Sequence, residues 1–223
     1  MTAARRRITL LVLGVAGLGV AGLLAACGPA APPPVSRAPV SASPVSRAPA
    51  SPVPAAYRGL ALQPPQPRPE FTLTDTSGRR YDFAALTGGR PTFLFFGYTD
   101  CPDVCPTTMA DVAAALRLAP VGVRRAVRVV FVTTDPRHDT GPVLARWLRG
   151  FDADLPTRFI GLTGTESQVD AAQVAARVPL ASDGGRTHSA ELLLFGTDDY
   201  ARVVYLSGSS PDDIRHDLPA VAG

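Results

Sequence analysis

Two cysteines separated by three residues, Cys101-Pro-Asp-Val-Cys105-Pro, follow directly on a continuous apolar and aromatic run over residues 91–98. Such a run reads as a strand buried on both faces. The proline that follows Cys105 suits the first position of a helix, because its φ is preset and the amide it lacks would have had no helical partner. A buried strand turning straight into a helix demands layers on both sides of a sheet. It also sets both thiols at one end of that sheet, where they can face a common point and either bind a soft metal or oxidise to a disulfide. Thiols that merely fill a core need neither flanking prolines nor a strand-to-helix junction.

The surrounding pattern agrees with an α/β fold. Residues 71–74 and 80–83 flank Thr76-Ser77-Gly78 as a small hairpin. Past the cysteines, Met109, Val112, Ala113 and Leu116 recur at helical spacing up to Leu118. Residues 127–133 and 158–162 read as strands, and 142–149 and 166–177 as helices. The second helix opens on Thr165 with Gln168 three residues on, a capping-box pattern. Residues 191–195 and 202–206 form a hairpin across Gly196-Thr-Asp-Asp-Tyr200, and 211–218 a closing helix. Strands alternating with helices and then a hairpin predict a three-layer α/β sandwich with a central mixed sheet and an N-terminal hairpin. With 46% hydrophobic residues in 223, the chain can bury one core, placed from about Glu70 onward.

The remaining cysteine, Cys27, belongs to a different device. Arg5, Arg6 and Arg7 precede an uncharged apolar and glycine-rich stretch over residues 8–24, closed by Leu24-Ala-Ala-Cys27-Gly28. That is the shape of an export signal, residues 1–26. Its last five residues resemble the lipobox of bacterial lipoproteins, in which Cys27 is acylated and becomes the first mature residue. The alternative is an uncleaved membrane helix. Either places the rest of the chain at the extracytoplasmic face of a cell membrane. Residues 27–69 are rich in Pro, Ala and Ser, and repeat Pro-Val-Ser-Arg-Ala-Pro at 34–39 and 44–49. They bury too little to fold, and are expected to act as a semi-extended tether.

Charge gives no case for a nucleic-acid partner. The net +3 resides wholly in Arg5, Arg6 and Arg7, beyond which 19 basic residues balance 19 acidic ones. Every basic residue is arginine.

Two further clusters accompany the cysteines. Cys105 at a helix N-terminus is expected to have a lowered thiol pKa. Thr134-Asp135-Pro-Arg-His138-Asp139-Thr140 follows the next strand, at the sheet edge where α/β proteins gather ligands. Asp135 there either faces the cysteine loop or serves the turn, and Asp139 or Thr140 is a candidate helix N-cap. His188 stands just before the 191–195 strand. If that strand runs antiparallel to the others, its start lies beside Cys101 and Cys105. His216, on the last helix, is read as a surface residue.

Taken together, Phe96-Gly-Tyr-Thr-Asp-Cys101-Pro-Asp-Val-Cys105-Pro, Thr134-Asp135-Pro with Asp139-Thr140, and His188-Ser before an apolar strand resemble the SCO/SenC proteins, copper chaperones for cytochrome c oxidase assembly. The resemblance runs from about Glu70 to Leu218. It implies a thioredoxin-like fold carrying copper, Cu(I) or Cu(II), on Cys101, Cys105 and His188, with Asp135 as a supporting or partner-facing carboxylate. It further implies delivery of copper to the binuclear copper site of oxidase subunit II, or reduction of the cysteines of that site, by a membrane-anchored protein. His138 departs from what the family often places there. Two thiolates and an imidazole suit copper in either oxidation state, whereas structural zinc normally takes a fourth ligand, for which His138 and Asp135 are the only candidates. The competing function is that of a thiol-disulfide oxidoreductase or redox sensor using the Cys101/Cys105 pair. Such enzymes usually have two residues between the cysteines and a proline facing them, where this chain has three residues and Arg186-Thr187-His188.

Overall fold

A computed structural model describes residues 57–222. The export signal, Cys27 and most of the expected tether lie outside the described residues.

Strand β1 (Leu60–Pro67) leads into the β2 (Thr72–Asp75) and β3 (Arg80–Asp82) hairpin, a one-turn helix α1 (Phe83–Thr87), strand β4 (Thr92–Gly97) and the long helix α2 (Val104–Leu118). Then come α3 (Val121–Ala126), β5 (Arg128–Thr133), α4 (Gly141–Asp152), β6 (Ile160–Thr163) and α5 (Glu166–Ala175). The chain closes with β7 (Leu192–Phe195), β8 (Tyr200–Tyr205) and α6 (Pro211–Ala222). The strands form one sheet in the order β1-β8-β7-β4-β5-β6-β2-β3. β4, β5 and β6 run parallel. β7 pairs antiparallel with β4, with Phe95 opposite Leu192, so the C-terminal end of β4 and the N-terminal end of β7 share one sheet edge.

β4 is buried along its whole length, as its uninterrupted apolar sequence requires. Its side chains alternate between two cores. Phe93 and Phe95 pack with Met109, Val112, Leu116, Leu144, Leu148, Ile214 and Leu218 from α2, α4 and α6. Leu94 and Phe96 face the other way, against Phe83, Leu162, Val169 and Ala172. Helices therefore cover both faces of a mixed sheet, the expected three-layer sandwich with its N-terminal hairpin. The capping box also forms: Thr165 Oγ1 accepts the Gln168 amide, and Gln168 Oε1 accepts the Thr165 amide.

The folded part starts earlier than Glu70. Leu60–Pro67, expected within the tether, forms an edge strand antiparallel to β8, with Leu60 opposite Val204. Pro64, Pro65 and Pro67 gave it the composition of the segment before it, and prolines are tolerated on an edge strand because no inner ladder needs their amides. Asp217, 1% exposed, fastens this beginning: its carboxylate accepts the amides of Arg58 and Gly59 and the hydroxyl of Tyr205. His216, read as surface, is half-exposed and donates from Nδ1 to the same carboxylate at 2.8 Å. The short α1 and α3 escaped the sequence reading because neither is long enough for an apolar period to register.

Candidate metal centre

The loop after β4 and the first turn of α2 position the two sulfurs. Helix α2 begins at Val104, not Pro106, with Asp103 preceding it. Pro106 is thus the third helical residue, still within the turn whose amides have no helical acceptor. Cys105 is completely buried, and Cys101 is half-buried on the same core. The helix N-terminus serves the other cysteine from the one expected: the Cys105 amide donates to Cys101 Sγ at 3.3 Å. For Cys105 itself, burial outweighs the helix terminus. Desolvation first, and the neighbouring Cys101 sulfur second, push its thiol well above the ordinary cysteine range. The expected lowering of its pKa is therefore reversed.

Gly97, the last residue of β4, leaves room for this thiol. A Cβ there would stand 2.7 Å from Cys105 Sγ and 2.8 Å from the Phe95 ring. Thr99, two residues on, is held from beneath: its amide donates to Asp139 Oδ2 at 3.0 Å, and the Thr133 hydroxyl donates to the same oxygen at 2.6 Å. Asp139, 2% exposed, thereby ties the cysteine loop to the end of β5. It does not cap α4, where Thr140 takes the N-cap position by backbone alone.

His188 arrives from the opposite side. Residues 182–187 form a tight excursion closed by the reciprocal Ser182 and Thr187 backbone bonds. At its tip Gly185 has φ +91°, and a Cβ would meet Thr134 O at 1.9 Å. Only glycine allows the loop to lie this close to the end of β5. The loop delivers His188 so that Nε2 stands 3.4 Å from Cys105 Sγ. Its Nδ1 lies 2.8 Å from the Ser189 carbonyl oxygen. A carbonyl accepts only from N–H, so the proton sits on Nδ1 and the Nε2 lone pair faces the sulfurs. Phe95 and Tyr98 hold the ring edge to face, with centroids 6.0 and 5.6 Å away.

The two sulfurs and the imidazole nitrogen lie within 4.8 Å of one another, the one such group of metal-binding side chains among the described residues. An open cleft of about 650 Å³, lined by Cys101, Pro102, Val104, Arg186 and His188, leads to them. Asp135 and His138 do not join the group. The buried Asp135 carboxylate accepts from His138 Nδ1 at 2.8 Å, while the His138 ring is largely exposed. Neither completes a four-ligand site. The sequence reading named the three converging residues but missed what holds them: Asp139 beneath Thr99, Gly185 at the loop tip, and the aromatic pair around His188. Only Tyr98 had a local signal, its place beside Gly97 at the strand end.

The SCO1/SenC family model matches residues 61–223. The chain belongs to the SCO1/SenC family. The match begins within β1, in agreement with a fold that starts before Glu70. A Stutzerimonas stutzeri protein named for copper binding is 31% identical over 159 residues, 69% of this chain and 76% of that protein. SenC of Rhodobacter capsulatus is 40% identical over 109 residues, 48% of this chain and 46% of its own length. Among solved SCO structures, Bradyrhizobium japonicum ScoI with copper bound is 29% identical with TM-score 0.56, covering 70% of this chain and 99% of that one. Apo Sco1 of Thermus thermophilus is 27% identical with TM-score 0.63, covering 75% and 98%.

Proposed function

We propose that this SCO1/SenC protein is an extracytoplasmic copper chaperone, held at the membrane through lipidated Cys27, that carries copper on Cys101, Cys105 and His188. Its acceptor is the binuclear copper site of cytochrome c oxidase subunit II. The observation that carries this reading is the convergence of two sulfurs and an imidazole nitrogen within 4.8 Å at an open cleft. The donor set fits copper. Soft thiolates suit Cu(I), the imidazole extends the site to Cu(II), and among the described residues no fourth ligand closes the position through which copper must leave. The Stutzerimonas relative is named for copper binding, and the Bradyrhizobium structure holds copper.

The residues divide the work. Asp139 and Gly97 set where the cysteine loop and the Cys105 sulfur stand. Ser189 O accepts from Nδ1, so that in the neutral imidazole the lone pair is on Nε2, toward the sulfurs. Cys105, by contrast, has to release its proton to become a thiolate ligand, which makes uptake favour higher pH. The same two thiols could reduce a disulfide in the acceptor, passing two electrons and two protons to it and becoming a disulfide themselves. The raised thiol of buried Cys105 and His188 where exchange enzymes place proline favour the metal-carrying role. For the lipid anchor the support is the sequence 24–28. Among the described residues no helix is long and apolar enough to cross a membrane.

The test is copper titration of the purified chain against a competing Cu(I) chelator, followed by electron paramagnetic resonance of the Cu(II) form. His188→Ala should lose the nitrogen coupling and weaken Cu(II) binding at least about tenfold. An unchanged spectrum and affinity would remove His188 from the site. Robust disulfide reduction by that variant without copper would favour the oxidoreductase instead.

A further inference from the structure

The cleft above the metal centre does not end there. It shares Asp103, Val104 and Ala190 with a second groove of about 520 Å³ that runs between α2 and the loop joining β8 to α6. The floor is apolar, made of Leu192, Tyr205 and Ile214, all about 1% exposed. Leu206, 46% exposed, stands on the far wall. The near wall is a stripe on α2. Asp103, Thr107 and Asp111 follow one another at four-residue spacing and so lie along one side of the helix. Among the described residues no basic side chain lines this groove, and Arg186 lines only the adjoining metal cleft.

Asp111 is the telling residue. It is half-buried, and it has neither a hydrogen-bond nor an ion-pair partner among the described residues. Burial alone pushes its carboxyl above the usual range. Its carboxylate is therefore free to take a partner from outside the fold, whereas those of Asp75, Asp139, Asp152, Asp199 and Asp217 are occupied within it. An acid without an internal partner, set in an apolar groove beside the metal cleft, offers a charge for recognition.

We propose that this groove docks an extended segment of the copper acceptor, subunit II, with a lysine or arginine of that segment against Asp111 and an apolar side chain against Leu206. The proposal rests on the chaperone reading above. Charge complementarity names the cation, and continuity with the metal cleft names the partner: a segment lying in the groove has its next few residues over Cys101 and His188, where copper changes hands. The apolar floor gives the contact area, and the acidic wall gives register and a faster, salt-dependent encounter.

The experiment uses the full chain in detergent and, as probe, the copper-free soluble domain of subunit II from the same organism. Hydrogen exchange is expected to show protection over residues 104–111 and 206–210 on binding. Asp111→Asn and Leu206→Lys should each weaken Kd about tenfold, and Asp111→Asn should also flatten its salt dependence. Thermal stability of Asp111→Asn should match that of the wild type, because the substitution removes no contact within the fold. Equal Kd for wild type and Asp111→Asn, absence of binding, or protection confined to another face would overturn the proposal. So would the same protection arising from self-association without the probe. Copper affinity of both variants, measured against a chelator, should match the wild type. Loss of copper binding by the wild type itself would sink the chaperone reading, and because the docking measurement uses no metal the two failures separate.

Discussion

His188 Nε2 faces Cys105 Sγ at 3.4 Å across a separation of 83 residues, and the imidazole is aimed by its surroundings before any metal arrives. Ser189 O fixes the proton on Nδ1. The rings of Phe95 and Tyr98 stand perpendicular to it, at 89° and 88°, restricting its rotation.

That arrangement separates the ring of Tyr98 from its hydroxyl. Tyr98→Leu should broaden the Cu(II) resonance and weaken binding about tenfold, because an aliphatic side chain leaves the imidazole free to turn. Tyr98→Phe should restore the wild-type spectrum. Equal loss in both variants would assign the role to the hydroxyl.

The two thiols should react very differently. Cys105 is buried with its pKa raised, while Cys101 is half-exposed at the cleft. Iodoacetamide at pH 8 should modify Cys101 and spare Cys105, as located by peptide mass spectrometry. Cys105 should be modified only under denaturing conditions. Comparable rates at both would contradict the burial of Cys105.

Gly97→Ala probes the space around that sulfur. The added methyl meets Cys105 Sγ and Phe95 closer than 3 Å, so the thiol has to shift. The cost in stability should be about 1–3 kcal/mol. Because the displaced atom is a proposed ligand, Cu(I) affinity should fall more than denaturant stability alone predicts. Chelator competition beside urea unfolding measures both.

A pH effect is expected at the far hairpin. Asp75 accepts from the Ser77 amide and hydroxyl and from the Arg79 amide. Burial pushes its carboxyl up, but these bonds outweigh it and hold it at about 2. A folded value below the unfolded one contributes stability that is fully present above about pH 4 and disappears as pH falls toward 2. Allowing for solvent screening, the contribution is roughly 1 kcal/mol. Asp75→Asn should remove this part of the acid dependence of the urea midpoint.

The layers and the site were legible where local chemistry repeats a pattern. The 91–98 run announced β4, the spacing of Met109, Val112 and Leu116 announced α2, and antiparallel order alone put His188 beside the cysteines. β1 was hidden because its prolines match the composition before it, and what marks it as a strand is pairing with β8, far along the chain. The Cys105 pKa was misjudged because a helix start is visible in sequence, whereas complete burial in the core between β4 and α2 is not. Asp139 had the residue type of a cap, and only its contacts with Thr99 and Thr133 show it working as a brace.

The prolines of β1 matter to anything that binds this protein. Pro64, Pro65 and Pro67 remove amide donors from one outer strand of the sheet, and the other outer strand, β3, is three residues long. A visiting polypeptide finds no ladder to extend at either flank. A polypeptide partner is therefore steered to the loops at the ends of the strands, and copies of the chain have little means of zipping into one another edge to edge.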